Sequence, residues 1–143
     1  MAYSTQDDIL KEISEKDLAQ LTSEDDEVID TDVVATAIAN ADSEIDGYVG
    51  VRYSLPLTSP PALIKKLSIK IALYNLFSRR SNRLGGMDET IKENYNNSVA
   101  MLKDISKGVL TLGIDPPPAA VSEGGASFKG EDREFTRDTL KGY

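Results

Sequence analysis

The residues of this chain that could do chemistry are carboxylates, lysines, tyrosines and hydroxyls. None of its 143 residues is cysteine or histidine. Thiolate nucleophiles, imidazole acid–base chemistry and zinc sites built on Cys or His are therefore excluded. Hydrolysis would have to rest on converging carboxylates with tuned pKa values, or on Lys, Tyr, Ser or Thr.

The carboxylates are concentrated in the first third of the chain, at predicted helix starts and in one acidic loop. This loop has the sequence TSEDDEVIDTD, from Thr22 to Asp32. An EF-hand alignment would place Glu27 at the sixth position, where the turn requires Gly, and Val33 at the twelfth, where calcium requires a bidentate Glu. The sequence favours a solvated loop in which Asp30 or Thr31 caps the next helix. It leaves open whether the loop binds a cation.

No catalytic set or nucleotide-binding motif stands out. The glycine pairs at 85–86 and 124–125 lack the strand and helix context of a phosphate-binding loop. Arg52 and Tyr53 could form a substrate-binding pair, but their place directly after a helix is as typical of a protein interface. We predict no catalytic residue, no metal site, no cofactor and no small-molecule substrate, and a protein that is not an enzyme.

Charge is divided unequally along the chain. Residues 1–50 hold 2 Lys or Arg against 14 Asp or Glu, whereas residues 51–115 hold 10 against 5. The main basic residues are Lys65, Lys66, Lys70, Arg79, Arg80 and Arg83. Such a division would attract copies of the chain head to tail, with an association that salt weakens. The alternative is that these are solvated helix faces.

The basic residues also raise the question of nucleic-acid binding. Lys66 and Lys70 are one helical turn apart, with Lys65 beside them. Phosphate-binding domains are usually basic overall, whereas this chain has a net charge of −8. Sequence-specific reading of DNA is not expected. A passing contact with DNA and pairing with acids of a neighbouring subunit both stay open.

Five amphipathic segments indicate an all-α fold, a compact bundle of about five helices. Short helices begin at Thr5 and Ser14, each followed three residues later by the Asp of a capping pair. The third helix has an apolar stripe with steps of four and three residues. The members of this stripe are Val34, Ile38, Ala41, Ile45 and Tyr48. The fourth helix, near 61–80, is apolar over much of its circumference and is predicted to be central, and the fifth runs from Asp88 to Gly108.

An extended joint is predicted after the third helix. Gly50 is expected to end that helix. The residue before Pro56 avoids the helical region, so the chain should be extended there. Thr58 or Ser59 is expected to cap the fourth helix, with Pro60 or Pro61 in its first turn.

The joint is also a candidate protein interface. Tyr53, Leu55 and Leu57 are predicted to anchor a contact with an adjacent subunit, and Arg52 to form its polar rim. The alternative is that these residues fold back over the core of their own chain. The basic residues Lys65, Lys66, Lys70, Arg79 and Arg80 are predicted to belong to the same kind of contact.

The chain is predicted to divide into a helical domain, 1–114, and a Pro- and Gly-rich tail, 115–143. The apolar run 109–114 is expected to be a short strand or an extended arm. The tail is too poor in apolar residues to fold alone, and is predicted to be either disordered or ordered by a partner. Its candidate anchors are Phe135, Leu140 and Tyr143. Its basic residues recur every four positions, at Lys129, Arg133, Arg137 and Lys141.

Membrane insertion and secretion are not expected. The N-terminus MAYSTQDDILKEI is acidic and lacks the apolar segment of a signal peptide. No apolar run approaches 18 residues without a charge. We therefore predict no membrane partner.

The stretch AIANADSEIDGYVGVRYSLPL, from Ala37 to Leu57, resembles the signature of a family of small Mu-like bacteriophage proteins. The matching features are Ser-Glu-Ile-Asp-Gly-Tyr at 43–48 and Arg-Tyr-Ser-Leu-Pro-Leu at 52–57. The opening MAYSTQDDIL and the final FTRDTLKGY are similar as well. This family is grouped with head–tail connector, or head-completion, proteins.

The resemblance implies a compact helical adaptor beneath the portal of a capsid, assembled as a ring through head-to-tail contacts. It implies other copies of the chain, the portal protein and tail-completion proteins as partners. It implies a place at the head–tail junction of the virion, and in the bacterial host cytoplasm during assembly. The rival hypothesis is an accessory nucleic-acid-binding protein that uses the basic patch of the fourth helix, with binding that salt weakens steeply.

Overall fold

The regular structure of the protein is helical throughout the residues that the computed structural model describes, which are 1–25, 27–80 and 88–117. The helices are α1 (Gln6–Leu10), α2 (Glu15–Thr22), α3 (Thr31–Val49), α4 (Ala62–Arg79) and α5 (Glu89–Lys107). The predicted all-α fold is confirmed. Arg83 and the tail from 118 onward lie outside the described residues.

Side-chain caps begin most of these helices, as the sequence predicts. Thr5 and Asp8 form a reciprocal capping box on α1, and the Ser14 hydroxyl accepts the Asp17 N–H on α2. One carboxylate oxygen of Asp30 accepts two backbone N–H groups at the start of α3. Each cap satisfies N–H groups that the first turn leaves without a partner, which is worth about 1 kcal/mol.

The start of α4 differs from the prediction. Its N-cap is Pro61, which has extended backbone angles and makes no side-chain cap. Thr58 and Ser59 therefore do not cap this helix. The helix begins only after the second proline, so both hydroxyls lie upstream of the first turn.

The core lies between α3 and α4, each of which packs against the other four helices. The predicted central position of α4 is therefore confirmed, and α3 shares it. The apolar stripe of α3 is buried from Val34 to Ile45. Burying an aliphatic side chain of this size is worth about 1.5–3 kcal/mol. Among the described helices, none has the length and apolar character needed to cross a membrane.

The segment after α5 returns over the joint between α3 and α4. Within the described residues it forms an arm and not a strand. Leu112 is buried, and Ile114 packs partly against the core. This return path decides which residues of the joint face solvent.

Candidate functional site

Two of the three predicted anchors in the joint belong to the core of their own chain. Tyr53 and Leu57 are each 3% exposed, whereas Leu55 is 40% exposed. The Tyr53 hydroxyl accepts the backbone N–H of Leu112 at 3.1 Å. Tyr53 and Leu57 therefore fold back over the core of their own chain, which is the alternative to an interface with an adjacent subunit. Only Leu55 keeps a surface position.

The backbone explains why the three anchors do not share a face. The N–H groups of Arg52 and Tyr53 both donate to the carbonyl of Val49, at 3.0 and 2.9 Å. The chain is therefore still turning at Tyr53, so the alternation of an extended strand does not apply. The peptide bond between Leu55 and Pro56 is cis.

Arg52 lies against the C-terminal end of α5 and not at the rim of a free surface. Its guanidinium occupies the space that a Cβ at Gly108 would need. Gly108 has φ +78° and ends α5, and its N–H bonds to the carbonyls of Asp104 and Ile105. A cation at this end of a helix interacts favourably with the helix dipole. Arg52 therefore helps to hold the segment after α3 against the end of α5.

Replacing Gly108 with alanine is expected to lower the free energy of unfolding by about 3 kcal/mol. The left-handed conformation costs an L residue about 1–2 kcal/mol, and displacing the Arg52 guanidinium adds to that cost. Gly113→Ala is the matched control, because Gly113 has φ +73° but nothing within 4 Å of its Cβ position. Urea denaturation should show a larger loss for Gly108→Ala than for Gly113→Ala. An Arg52→Ala background should remove most of the difference, and equal losses in the wild-type background would contradict this packing.

Lys65 and Lys70 pair with acids of their own chain. The Lys65 ammonium lies 2.9 Å from a carboxylate oxygen of Asp8, and that of Lys70 lies 3.0 Å from Glu12. The charge complementarity that could have joined two copies therefore links α4 to the N-terminal region of the same copy. Lys66 is exposed, and the structure shows no ion pair for it among the described residues.

Arg79 and Arg80 cap the end of α2. Arg79 donates to the carbonyls of Leu21 and Thr22 at 3.4 and 3.3 Å, and Arg80 donates to that of Gln20 at 3.3 Å. The last turn of α2 contains no basic residue of its own. The two arginines at the end of α4 therefore supply the positive charge that favours a helix C-terminus.

Asp8 is the most heavily engaged carboxylate of this region. The Lys65 ammonium, then the Thr5 hydroxyl and Lys11, hold the pKa of the Asp8 carboxyl well below its usual range, although burial acts in the opposite direction. The ionised form is thus favoured in the folded chain over the unfolded one. Its contribution to stability is complete above the unfolded pKa of about 3.9, and is lost as the pH falls toward the folded value.

Asp8→Asn is therefore expected to flatten the dependence of stability on pH below about pH 4. The free energy of unfolding should fall less steeply with acidification in the variant than in the wild type. Asp7→Asn is the matched control, because Asp7 is the exposed neighbour in the same helix and the change in formal charge is identical. The free energy of unfolding is measured by urea denaturation from pH 5 to pH 2.5. If it fell as steeply with pH in Asp8→Asn as in the wild type, Asp8 would not be the stabilising carboxylate.

A buried polar cluster, which the sequence analysis missed, holds the N-terminus on α3 and α4. Asp42 is 7% exposed and accepts the Tyr3 N–H at 2.9 Å and the Ser68 hydroxyl at 2.6 Å. The Ser4 and Ser68 hydroxyls are 2.7 Å apart. Tyr3 donates its hydroxyl to Asp46, and burial followed by this hydrogen bond raises the pKa of Tyr3. The signal in the sequence is that Asp42 lies four residues after Ile38, on the apolar side of α3.

One end of the bundle carries exposed apolar side chains. Val51 is 72% exposed and Val109 is 76% exposed, and the Leu55 side chain lies against Gly50, which precedes Val51. Val51 precedes Arg52 and Val109 follows Gly108, and the Arg52 guanidinium lies against Gly108. We call Val51, Leu55 and Val109 the end patch. Leu55 is the predicted anchor that stays exposed, whereas Val51 and Val109 are not among the predicted interface residues.

A groove of about 620 Å³ lies between the first half of α3 and the last half of α4. Its apolar lining comes from Val33, Ala37, Tyr74 and Leu76. The Tyr74 ring stacks on Tyr95 with centroids 3.9 Å apart. Burial, and then a hydrogen bond to Glu44, raises the pKa of Tyr95 to about 12. These contacts hold the wall of the groove in place.

Three of the predicted interface residues belong to the C-terminal tail. Phe135, Leu140 and Tyr143 lie outside the described residues, so their interface role stays a prediction. Within the described parts of the chain, no group of three or more acidic side chains is arranged to hold a metal ion. Asp30 is committed to the N-cap of α3.

The fold and these surfaces define a small helical protein in which several charged groups, among them Lys65, Lys70 and Arg79, link its own helices, with exposed apolar side chains at Val51, Leu55 and Val109. The sequence profile of the family described as Bacteriophage Mu, Gp36 matches residues 3–129. The chain belongs to this family.

Two relatives agree with that assignment. The chain is 27% identical over 143 residues to the Mu-like prophage FluMu protein gp36 of Haemophilus influenzae, covering 99% of this chain and 97% of the relative. It is 32% identical over 95 residues to gene product J of Escherichia phage Mu, covering 66% of this chain and 63% of the relative. Neither name describes an enzyme. The resemblance to Mu-like phage proteins is confirmed, and the protein is a bacteriophage protein.

Proposed function

We propose that the protein is a structural virion assembly protein, a head–tail connector subunit that forms a ring beneath the portal through head-to-tail contacts. Its membership of a Mu phage family supports a role in the phage particle. The resemblance of residues 37–57 to a Mu-like family that is grouped with head–tail connector proteins supports the particular role. The place of action would be the head–tail junction.

The structural observation that carries the proposal is the end patch. Its three side chains are aliphatic and lie beside core elements that hold their backbone in place, since Arg52 contacts α5 and Tyr53 bonds to Leu112. Aliphatic side chains on a rigid support lose little conformational entropy when a partner covers them. In a ring, this patch would contact a different surface of the adjacent subunit.

The pairing of the basic residues within the subunit affects which interactions would stabilise the contact between subunits of the ring. Lys65 and Lys70 are paired inside the subunit, and Arg79 and Arg80 cap α2. The proposed contact therefore depends more on apolar burial than on the attraction between acidic and basic segments. Its salt dependence should be weaker than the charge distribution of the sequence implies.

Val51→Asp is expected to prevent the protein from assembling into a ring on the portal of its own phage. The subunit itself should stay folded. A charge in the end patch would be buried without a partner at the subunit contact. Val28→Asp is the matched control, because Val28 is equally exposed at 72% but precedes α3, whereas Val51 follows it. Native mass spectrometry of each protein with the purified portal measures the number of bound copies. Full binding by Val51→Asp would contradict the proposed contact.

A further inference from the structure

The groove between α3 and α4 is not part of the proposed ring contact. Its lining includes two opposite charges, Asp32 and Arg79, and Thr36 and Asn40 form part of its exposed edge. Ala37 is small and buried, which leaves room between the two helices. A groove of this form fits a short segment that carries one or two large apolar side chains between charged residues.

We propose that this groove binds the C-terminal segment of the same molecule, residues 129–143, with Phe135 and Leu140 as the apolar anchors. This segment has the required composition. It is polar, with isolated large apolar residues, and it has basic residues at Lys129, Arg133, Arg137 and Lys141. The proposal does not depend on the connector role.

Charge complementarity supports this occupant. Arg79 lines the groove and donates to carbonyls at the end of α2, so the loop that follows α2 begins at the same end of the groove. That loop carries Glu24, Asp25 and Glu27, and Asp32 lines the groove beyond it. The basic residues of the segment therefore meet a region of opposite charge while the anchors enter the apolar floor.

The position where the described chain ends makes the contact reachable within one molecule. Pro117 lines the same small cavity as Thr58 and Ser59, just before α4. From Ala62 to Leu76, α4 rises about 21 Å. The connecting residues, 118–134, span about 23 Å by random-coil statistics and up to about 55 Å when extended. Phe135 therefore reaches the groove without strain.

Disulfide trapping in the full-length chain tests the contact, and the absence of native cysteine removes any background. The test protein, the groove pair, is Asn40→Cys with Thr136→Cys, which places one thiol at the groove and one beside Phe135. The matched control, the control pair, is Asn97→Cys with Thr136→Cys, because Asn97 is also an exposed asparagine but lies on α5. Intramolecular disulfide is measured by mass spectrometry in a glutathione buffer at micromolar protein.

The effective concentration of the two thiols should be at least about 10-fold higher in the groove pair than in the control pair. Adding Phe135→Ala and Leu140→Ala should bring the groove pair down to the control value. Raising the salt to 1 M should lower the ratio of the two effective concentrations, groove pair over control pair, because the Debye length falls to about 3 Å. Equal values for the two pairs would overturn the proposal, as would a disulfide in the groove pair that forms only between molecules and depends on protein concentration.

Discussion

Tyr53→Ala is expected to lower the free energy of unfolding by about 3–5 kcal/mol, which is the range for truncating a large buried ring. The ring is 3% exposed, so its removal leaves a cavity beneath the joint. The Leu112 N–H also loses its acceptor. An unpaired buried N–H costs about 1–3 kcal/mol, so the loss should fall in the upper part of the range for the ring. The loss should appear in urea denaturation followed by circular dichroism.

Leu55→Ala is the comparison that separates core from surface in the joint. Leu55 lies two residues from Tyr53 but is 40% exposed, so its truncation should cost only about 1 kcal/mol. Tyr53→Phe keeps the ring and removes only the hydroxyl, so its loss should lie between the other two. If Tyr53→Ala were no more destabilising than Leu55→Ala, the joint would not fold back over the core as described.

Asp42→Ala is expected to lower the free energy of unfolding by about 2–4 kcal/mol, because it removes a buried carboxylate that accepts two hydrogen bonds. The Tyr3 N–H and the Ser68 hydroxyl both lose this acceptor. Ser68 retains its contact with Ser4, whereas the Tyr3 N–H has no other acceptor in the described structure. The N-terminal residues should therefore detach from α3 before the rest of the chain unfolds.

Ser43→Ala is the control for the loss of a polar group from the same part of α3. The Ser43 hydroxyl is exposed and, among the described residues, donates to the carbonyl of Ala39 in its own helix. Its removal should change stability by less than about 0.5 kcal/mol. Hydrogen exchange should show faster exchange at Tyr3 in Asp42→Ala than in Ser43→Ala. Unchanged exchange at Tyr3 would contradict the role of Asp42.

Helix positions could be predicted from the sequence because their signals are local. Thr5, Ser14, Asp30 and Asp88 each begin a helix through hydrogen bonds to backbone groups two or three residues away. The apolar period of α3 also lies within one segment. The start of α4 was mispredicted because two prolines and two hydroxyl residues compete there, and the helix begins after the last of them.

The environment of the joint could not be predicted in the same way, because it depends on contacts between distant parts of the chain. Tyr53 is buried because the arm after α5 returns over it and brings in Leu112. Lys65 and Lys70 meet Asp8 and Glu12 because α1 packs on α4. A sequence shows that opposite charges exist. It does not show whether they meet within one copy or between two.

The partners of the buried polar cluster could not be predicted from the sequence either. An Asp on the apolar side of α3 indicates a partner, but the partners of Asp42 come from the N-terminus and from α4. These elements meet at Asp42 only in the folded chain.

The connector role proposed for this phage protein rests on its assembly with a portal. Electron microscopy of the purified portal ring of the same phage, alone and with excess protein, would show this assembly. A connector subunit should add a ring of density below the portal, with helical subunits that fit this bundle and neighbouring subunits in contact through Val51, Leu55 and Val109. Portal rings that gain no density at saturating protein would contradict the connector role.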